Sequence, residues 1–98
     1  MIKVKINEDS IIIKGHANFD DYGKDIVCAA VSSIVTASVN DMHIVSPNGL
    51  SYEDDGNTIK IEIIKYDDLL YKLLNNLKEL LTDLSLDYPK NIKVERED

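Results

Sequence analysis

No charged side chain lies between Asp25 and Asp41, in a chain whose residues are 30% charged. At about 100° per residue, Ile26, Val27, Ala30, Val31, Ile34, Val35 and Ala37 fill one broad arc of a helix over Lys24 to Asn40. Cys28 and Val39 lie on the edge of that arc. Ser32, Thr36, Ala29 and Ser33 complete a remaining face that is small and uncharged. A helix with no charged side is covered on more than one side. A sheet covers only one, so a second helix or a second chain has to cover another.

The rest of the sequence supplies the sheet and a second helix. Ile2, Val4 and Ile6 alternate with Lys3 and Lys5, the period of a half-buried strand. Asn7-Glu8-Asp9-Ser10 is turn chemistry, and the apolar run from Ile11 to Lys14 reads as a strand covered on both faces. These two strands form a hairpin. His43 to Ser46 reads as a short strand, interrupted by Pro47-Asn48-Gly49. Leu50 and Tyr52, then Ile59, Ile61 and Ile63, alternate on either side of Asp54-Asp55-Gly56-Asn57, a hairpin signal. Asp67 or Asp68 can cap the second helix, which runs to about Leu84. Its leucines at 69, 70, 73, 74, 77, 80, 81 and 84 fall within an arc of roughly 140°. That stripe predicts a one-sided helix packed on the sheet. Pro89 marks a break, Ile92 to Val94 form a last short strand, and the tail Glu95 to Asp98 reads as frayed. The expected order is β-β-α-β-β-α-β in a single domain over 1–98. The fold class is α/β (α+β type), a two-layer sandwich whose mixed sheet carries two helices.

Composition narrows the function. The net charge is -7, which argues against direct nucleic-acid binding and favours a basic partner. No uninterrupted apolar run approaches the length of a transmembrane helix, and the first residues lack a secretory pattern. A single cysteine forms no internal disulfide, which suits a reducing cytoplasm. No Cys/His pattern suits zinc and no glycine-rich phosphate loop appears, so no metal and no cofactor is expected. A domain of 98 residues has a limited core. With the uncharged first helix, this predicts a homodimer whose patch lies near Val35, Val39 and Met42.

The stretch Gly15 to Ser32, GHANFDDYGKDIVCAAVS, concentrates the reactive groups. Cys28 falls near the start of the first helix, where the positive end of the dipole favours a thiolate. Most free cysteines are instead buried small hydrophobes. His16 leaves the second strand and precedes Cys28 by a segment long enough to bring the two side chains together. Such an imidazole can activate a thiol and later protonate a leaving amine. Asp25 can orient His16 as a third member or favour the helix N-terminus, the more usual role. Ser32, one turn after Cys28, lines the site or is a tolerated small polar residue. Gly23 reads as a hinge or helix entry. His43 reads as a strand-edge residue. Asp20-Asp21 and Glu53-Asp54-Asp55 read as solvated loop charge.

Gly15-His16-Ala17, Gly23 and the run Asp25-Ile-Val-Cys28-Ala-Ala-Val-Ser32 together resemble the signature of the ribosomal-processing cysteine protease Prp family. The resemblance extends along the whole chain. It implies a His16/Cys28 catalytic dyad that removes a short N-terminal extension from a large-subunit ribosomal protein, the bacterial protein L-twenty-seven. It also implies a dimer and a mobile substrate loop containing Ala17, Asn18, Phe19, Tyr22 and Gly23. Phe19 and Tyr22 correspond to the family's aromatic position. An acidic enzyme suits the basic N-terminal tail of a ribosomal protein. The alternative is a non-catalytic acidic module that binds a ribosomal protein or an assembly partner.

Overall fold

The computed structural model describes residues 1–15 and 25–98. In chain order the elements are β1 (Ile2–Ile6), β2 (Ser10–Lys14), α1 (Asp25–Val45), β3 (Leu50–Asp54), β4 (Thr58–Ile63), α2 (Asp68–Asp87) and β5 (Ile92–Arg96). The strands form one sheet in the order β3-β4-β2-β1-β5. β1 pairs antiparallel with β2 and parallel with β5, so the sheet is mixed. The expected two-layer architecture and element order are both present.

Register follows the alternating pattern. Val4 stands opposite Ile13 and Val94, Ile6 opposite Ile11, and Ile11 opposite Ile61. Period-2 side chains on paired strands share a face. Ile2, Val4, Ile6, Ile11, Ile13, Ile59, Ile61 and Ile63 are all buried, while Lys3, Lys5 and Lys60 are exposed. Among the described residues only one face is covered, against the expectation of a β2 strand buried on both sides. Ile12, on the open face, is half-buried.

The helices lie on the covered face and pack against each other. In α2, Leu70, Leu74, Leu77 and Leu81 are fully buried. Leu69 and Leu80, at the margins of the leucine arc, are exposed. Asp67 is the N-cap: its carboxylate accepts from the Leu70 N–H at 3.0 Å, satisfying one of the donors a helix start leaves open.

Three sequence expectations need correction. First, His43 to Ser46 is not a strand. α1 continues to Val45 because Val35, Val39 and Met42 keep the helical period and are all buried. The Ser46 N–H still donates to the Met42 carbonyl at 2.9 Å. Pro47 then disfavours helical geometry at the residue before it. Second, for the same reason, Val35, Val39 and Met42 belong to the core and present no dimer patch. Third, the tail is anchored rather than frayed. β5 extends to Arg96, and the Glu97 N–H donates to the Ile6 carbonyl at 2.7 Å. The Lys78 stem is buried, and its ammonium reaches the Glu8 carbonyl at 3.0 Å and Asp98 at 3.1 Å.

α1 is long and apolar enough over Ile26–Val45 to cross a membrane by composition alone. Its buried residues, Val27, Cys28, Val31, Val35, Val39 and Met42, instead pack into the sheet-and-helix core.

Candidate active site

Topology brings Cys28 and the exit of β2 to one end of the sheet. β3 starts at Leu50, opposite Ile63, and Glu62 stands opposite Ser10. The end of α1 therefore feeds the edge of the sheet where β2 begins. A helix of 21 residues is roughly 31 Å long, more than the length of these strands. Its first turn accordingly lies toward the end where β2 leaves, beyond Lys14.

Gly15 fixes that exit. Its φ is +86°, a conformation that disfavours any Cβ. A side chain there would also come within 2.8 Å of the Met1 carbonyl oxygen. The Gly15 N–H donates to the Asn57 carbonyl at 3.2 Å. The tip of the β3–β4 hairpin thus braces the backbone at the residue before His16. This support was not evident from sequence, although the Asp54-Asp55-Gly56-Asn57 turn and the strand lengths together carry its signal. Asp55 closes that turn by accepting from the Asn57 and Thr58 N–H groups at 2.9 and 2.7 Å.

Cys28 is the fourth residue of α1 and only 2% exposed, as deeply set as Val27 beside it. It lies inside the packed arc of the helix and not on its edge. Backbone N–H groups of a first helical turn lack intrahelical acceptors, so this end of α1 presents donors and the positive end of the dipole. Ser32 follows Cys28 by one turn on the same side of α1 and is half-buried. The Asp25 backbone opens α1, while its side chain lies outside the described structure. His16, Ala17, Asn18, Phe19, Tyr22 and Gly23 also lie outside the described residues.

The other histidine is remote. His43 occupies the last turn of α1 and is half-buried. At ~1.5 Å per residue it lies roughly 22 Å along the helix from Cys28. His16, the other of the two histidines in the sequence, lies outside the described residues.

Among the groups described, strong electrostatic perturbations occur at the other end of the sheet. A hydrogen bond donated to Asp9 at 2.6 Å helps push the Tyr71 hydroxyl up to about 12. Hydrogen bonds from Arg96, and then from Lys78, hold the Asp98 carboxyl well below the usual range. Both groups sit at the opposite end of the sheet from Gly15, because Arg96 pairs with Ile6 and Asp9 lies in the β1–β2 turn. They fasten the fold rather than mark a reaction centre. Among the described residues, no group of three His, Cys, Asp or Glu side chains is arranged to hold a metal.

Comparison with known proteins identifies the family. A family described as cysteine protease Prp matches residues 1–93. The ribosomal processing cysteine protease Prp of Mycoplasma pneumoniae is 29% identical over 97 residues, covering 97% of this chain and 94% of the relative. The crystal structure of SMU.848 from Streptococcus mutans superposes with a TM-score of 0.85 at 27% identity, covering 98% of this chain and 93% of that one. The essential ribosomal processing protease Prp of Staphylococcus aureus, solved with a covalently linked product peptide, gives a TM-score of 0.79 at 28% identity. There the match covers 99% of this chain and 100% of that one.

Proposed function

The chain belongs to the cysteine protease Prp family, and on that premise we propose that Cys28 and His16 form its catalytic dyad. As a cysteine protease it is an enzyme, which sets aside the reading as a non-catalytic module. The observation that carries the dyad is the placement of Cys28 in the first turn of α1, at the end of the sheet where the chain leaves toward His16. His43 is too far along the same helix to serve.

In this mechanism His16 takes the proton of the Cys28 thiol, and the sulfur attacks the scissile carbonyl carbon. Backbone N–H groups at the start of α1 stabilise the oxyanion. The C–N bond breaks as the His16 imidazolium returns its proton to the leaving amine. Water, deprotonated by His16, then hydrolyses the thioester and regenerates the thiol. Because Cys28 is almost fully buried, its surroundings have to open before a peptide reaches it. The segment containing Ala17, Asn18, Phe19, Tyr22 and Gly23 is the proposed substrate loop. Asp25 and Ser32 have supporting roles.

The proposed substrate is the basic N-terminal extension of the large-subunit ribosomal protein L-twenty-seven, cleaved in the cytoplasm. The net charge of -7 supports a basic substrate. The covalently linked product peptide of the Staphylococcus aureus relative supports a covalent step. The test is incubation with the same organism's precursor, followed by mass spectrometry. A shortened ribosomal protein with one new N-terminus is expected, and an intact precursor beside folded enzyme overturns the assignment.

We also propose a homodimer, built on a different patch from the buried one expected from sequence. Ile26 and Ile44 are 68% and 79% exposed, and Ala29, Ser33, Thr36, Ala37 and Asn40 lie exposed between them along α1. Burying 400 Å² of apolar surface contributes about 10 kcal/mol before association costs. Analytical ultracentrifugation should show twice the 11.0 kDa chain mass, and Ile44→Lys should shift it to the monomer.

A further inference from the structure

The open face of the sheet carries a charge arrangement that the proposed catalytic dyad does not involve. Two neighbouring rows of side chains cross it. In one, Glu53, Lys60, Ile12, Lys5 and Glu95 stand side by side on successive strands. Each cation of that row has an acidic neighbour: Lys60 lies 3.8 Å from Glu62, and Lys5 lies 3.3 Å from Glu97. The adjacent row reads Thr58, Lys14, Lys3 and Lys93. Its three lysines are exposed and directly opposite one another, and none forms an ion pair among the described residues.

Like charges directly opposed on paired strands oppose folding. A chain with net charge -7 has many carboxylates, yet among the described residues none stands in this row, and Glu95, one row away, forms no ion pair with it. A groove of about 310 Å³ runs over it, walled by Lys3, Lys5, Lys14 and Lys93, with Ile12 in its floor and Glu95 at one side. Strands lie about 4.8 Å apart, so the row places three ammonium groups across roughly 10 Å. Ammonium groups on flexible stems act as point charges for phosphate oxygens.

From this we propose that the Lys14–Lys3–Lys93 row is a binding site for a condensed phosphate, a di- or triphosphate group laid across the strands. Such a group concentrates several negative charges within the width of the row. Glu53, Glu62, Glu95 and Glu97 share the face and repel a longer polyanion such as RNA. An extended acidic peptide carries one charge per carboxylate, with same-side residues about 6.7 Å apart, and matches the row less well. The ligand is a free condensed phosphate or the phosphate tail of a nucleotide.

Isothermal titration calorimetry of the full chain with inorganic triphosphate tests the site at physiological ionic strength. Triphosphate should bind at least about tenfold more tightly than orthophosphate. The variant Lys3→Gln/Lys14→Gln/Lys93→Gln should lose about tenfold or more in affinity. Lys65→Gln/Lys72→Gln/Lys90→Gln removes the same charge elsewhere and should stay within about twofold. Lys93→Gln alone, on an edge strand, serves the same purpose should the triple variant fold poorly. Tighter binding of a nucleoside triphosphate than of inorganic triphosphate identifies a nucleotide tail, and equal affinity identifies free condensed phosphate. Absent binding, an equal loss in the control variant, or tighter binding of a single-stranded RNA or a glutamate-rich peptide overturns the proposal.

Discussion

The two helices cover the same sheet face but differ in how their sequences specify that role. In α2 a buried row of Leu70, Leu74, Leu77 and Leu81 contrasts with a charged outer side. Polarity alone orients it, and Asp67 fixes its start. In α1 the buried and exposed sides differ mainly in size. Val27, Val31, Val35, Val39 and Met42 face inward, while Ala29, Ser33, Thr36 and Ala37 face outward. A helix of the first kind is a scaffold beam. One of the second kind can hold a reactive thiol in its core-facing row and still offer an uncharged outer stripe to another surface.

The largest expected effect separates these roles. Cys28→Ala should abolish cleavage in the precursor assay while melting stays within about 1 kcal/mol of the parent, because Ala suits a helix interior. His16→Ala should reduce turnover by roughly 10² or more, and His43→Ala should leave it unchanged. Turnover by a folded Cys28→Ala protein would remove this residue as the nucleophile. Loss of activity in His43→Ala alone would transfer the base to the wrong end of α1 for the geometry described.

On α2 the same size of change should act on stability instead. Leu77 is fully buried, so Leu77→Ala should cost about 2–5 kcal/mol in denaturant unfolding. Activity per folded molecule should hold at temperatures well below the melting point. A kinetic defect at full folding would make α2 more than a beam.

The contrast also explains what could be read from the sequence. α2 was legible because its stripe has polar borders, and β1 and β4 were legible because apolar and polar residues alternate, whereas the run Ile11-Ile12-Ile13 marked β2 as a strand without showing which face is open. The end of α1 was not, since His43-Ile44-Val45 has no charge to set a period and is rich in β-branched residues that also suit strands. The tail was misread for a different reason. Its partners, Lys78 and the Ile6 carbonyl, are distant in sequence, and a charged terminal segment looks solvated until they are placed. At the site, the motif and the helix start named Cys28. Its depth was hidden because an uncharged helix gives no clue to which of its small residues face inward. The brace from Asn57 to Gly15 depends on strand register, which the hairpin turn and the strand lengths specify only when taken together.

The Lys78–Asp98–Arg96 network should appear as a modest, pH-dependent effect on the α2 side. Asp98 titrates below its ordinary value of about 3.9 because Arg96 and Lys78 donate to its carboxylate. A carboxyl depressed in the folded state adds stability above its unfolded pKa and loses it as pH falls toward the folded one. Asp98→Asn should therefore lower the melting temperature at pH 7 and flatten its fall below about pH 4. Parallel curves for parent and variant would show that the network contributes nothing through ionisation.

The smallest effect compares the two helix starts. At α2, Asp67 accepts a hydrogen bond from the Leu70 N–H, and Asp67→Ala should cost about 1 kcal/mol. Asp25 occupies the first position of α1, three residues before Cys28. If its charge acts only on the dipole, Asp25→Asn should cost at most about 1 kcal/mol and leave most of the activity. Salt should shrink that cost, because the interaction of a charge with a helix dipole is screened. If Asp25 orients His16 instead, the same substitution should reduce turnover on the scale of His16→Ala with melting unchanged. Measuring melting and turnover on the same preparations separates the two roles, because the dipole acts on the first and an orienting carboxylate on the second.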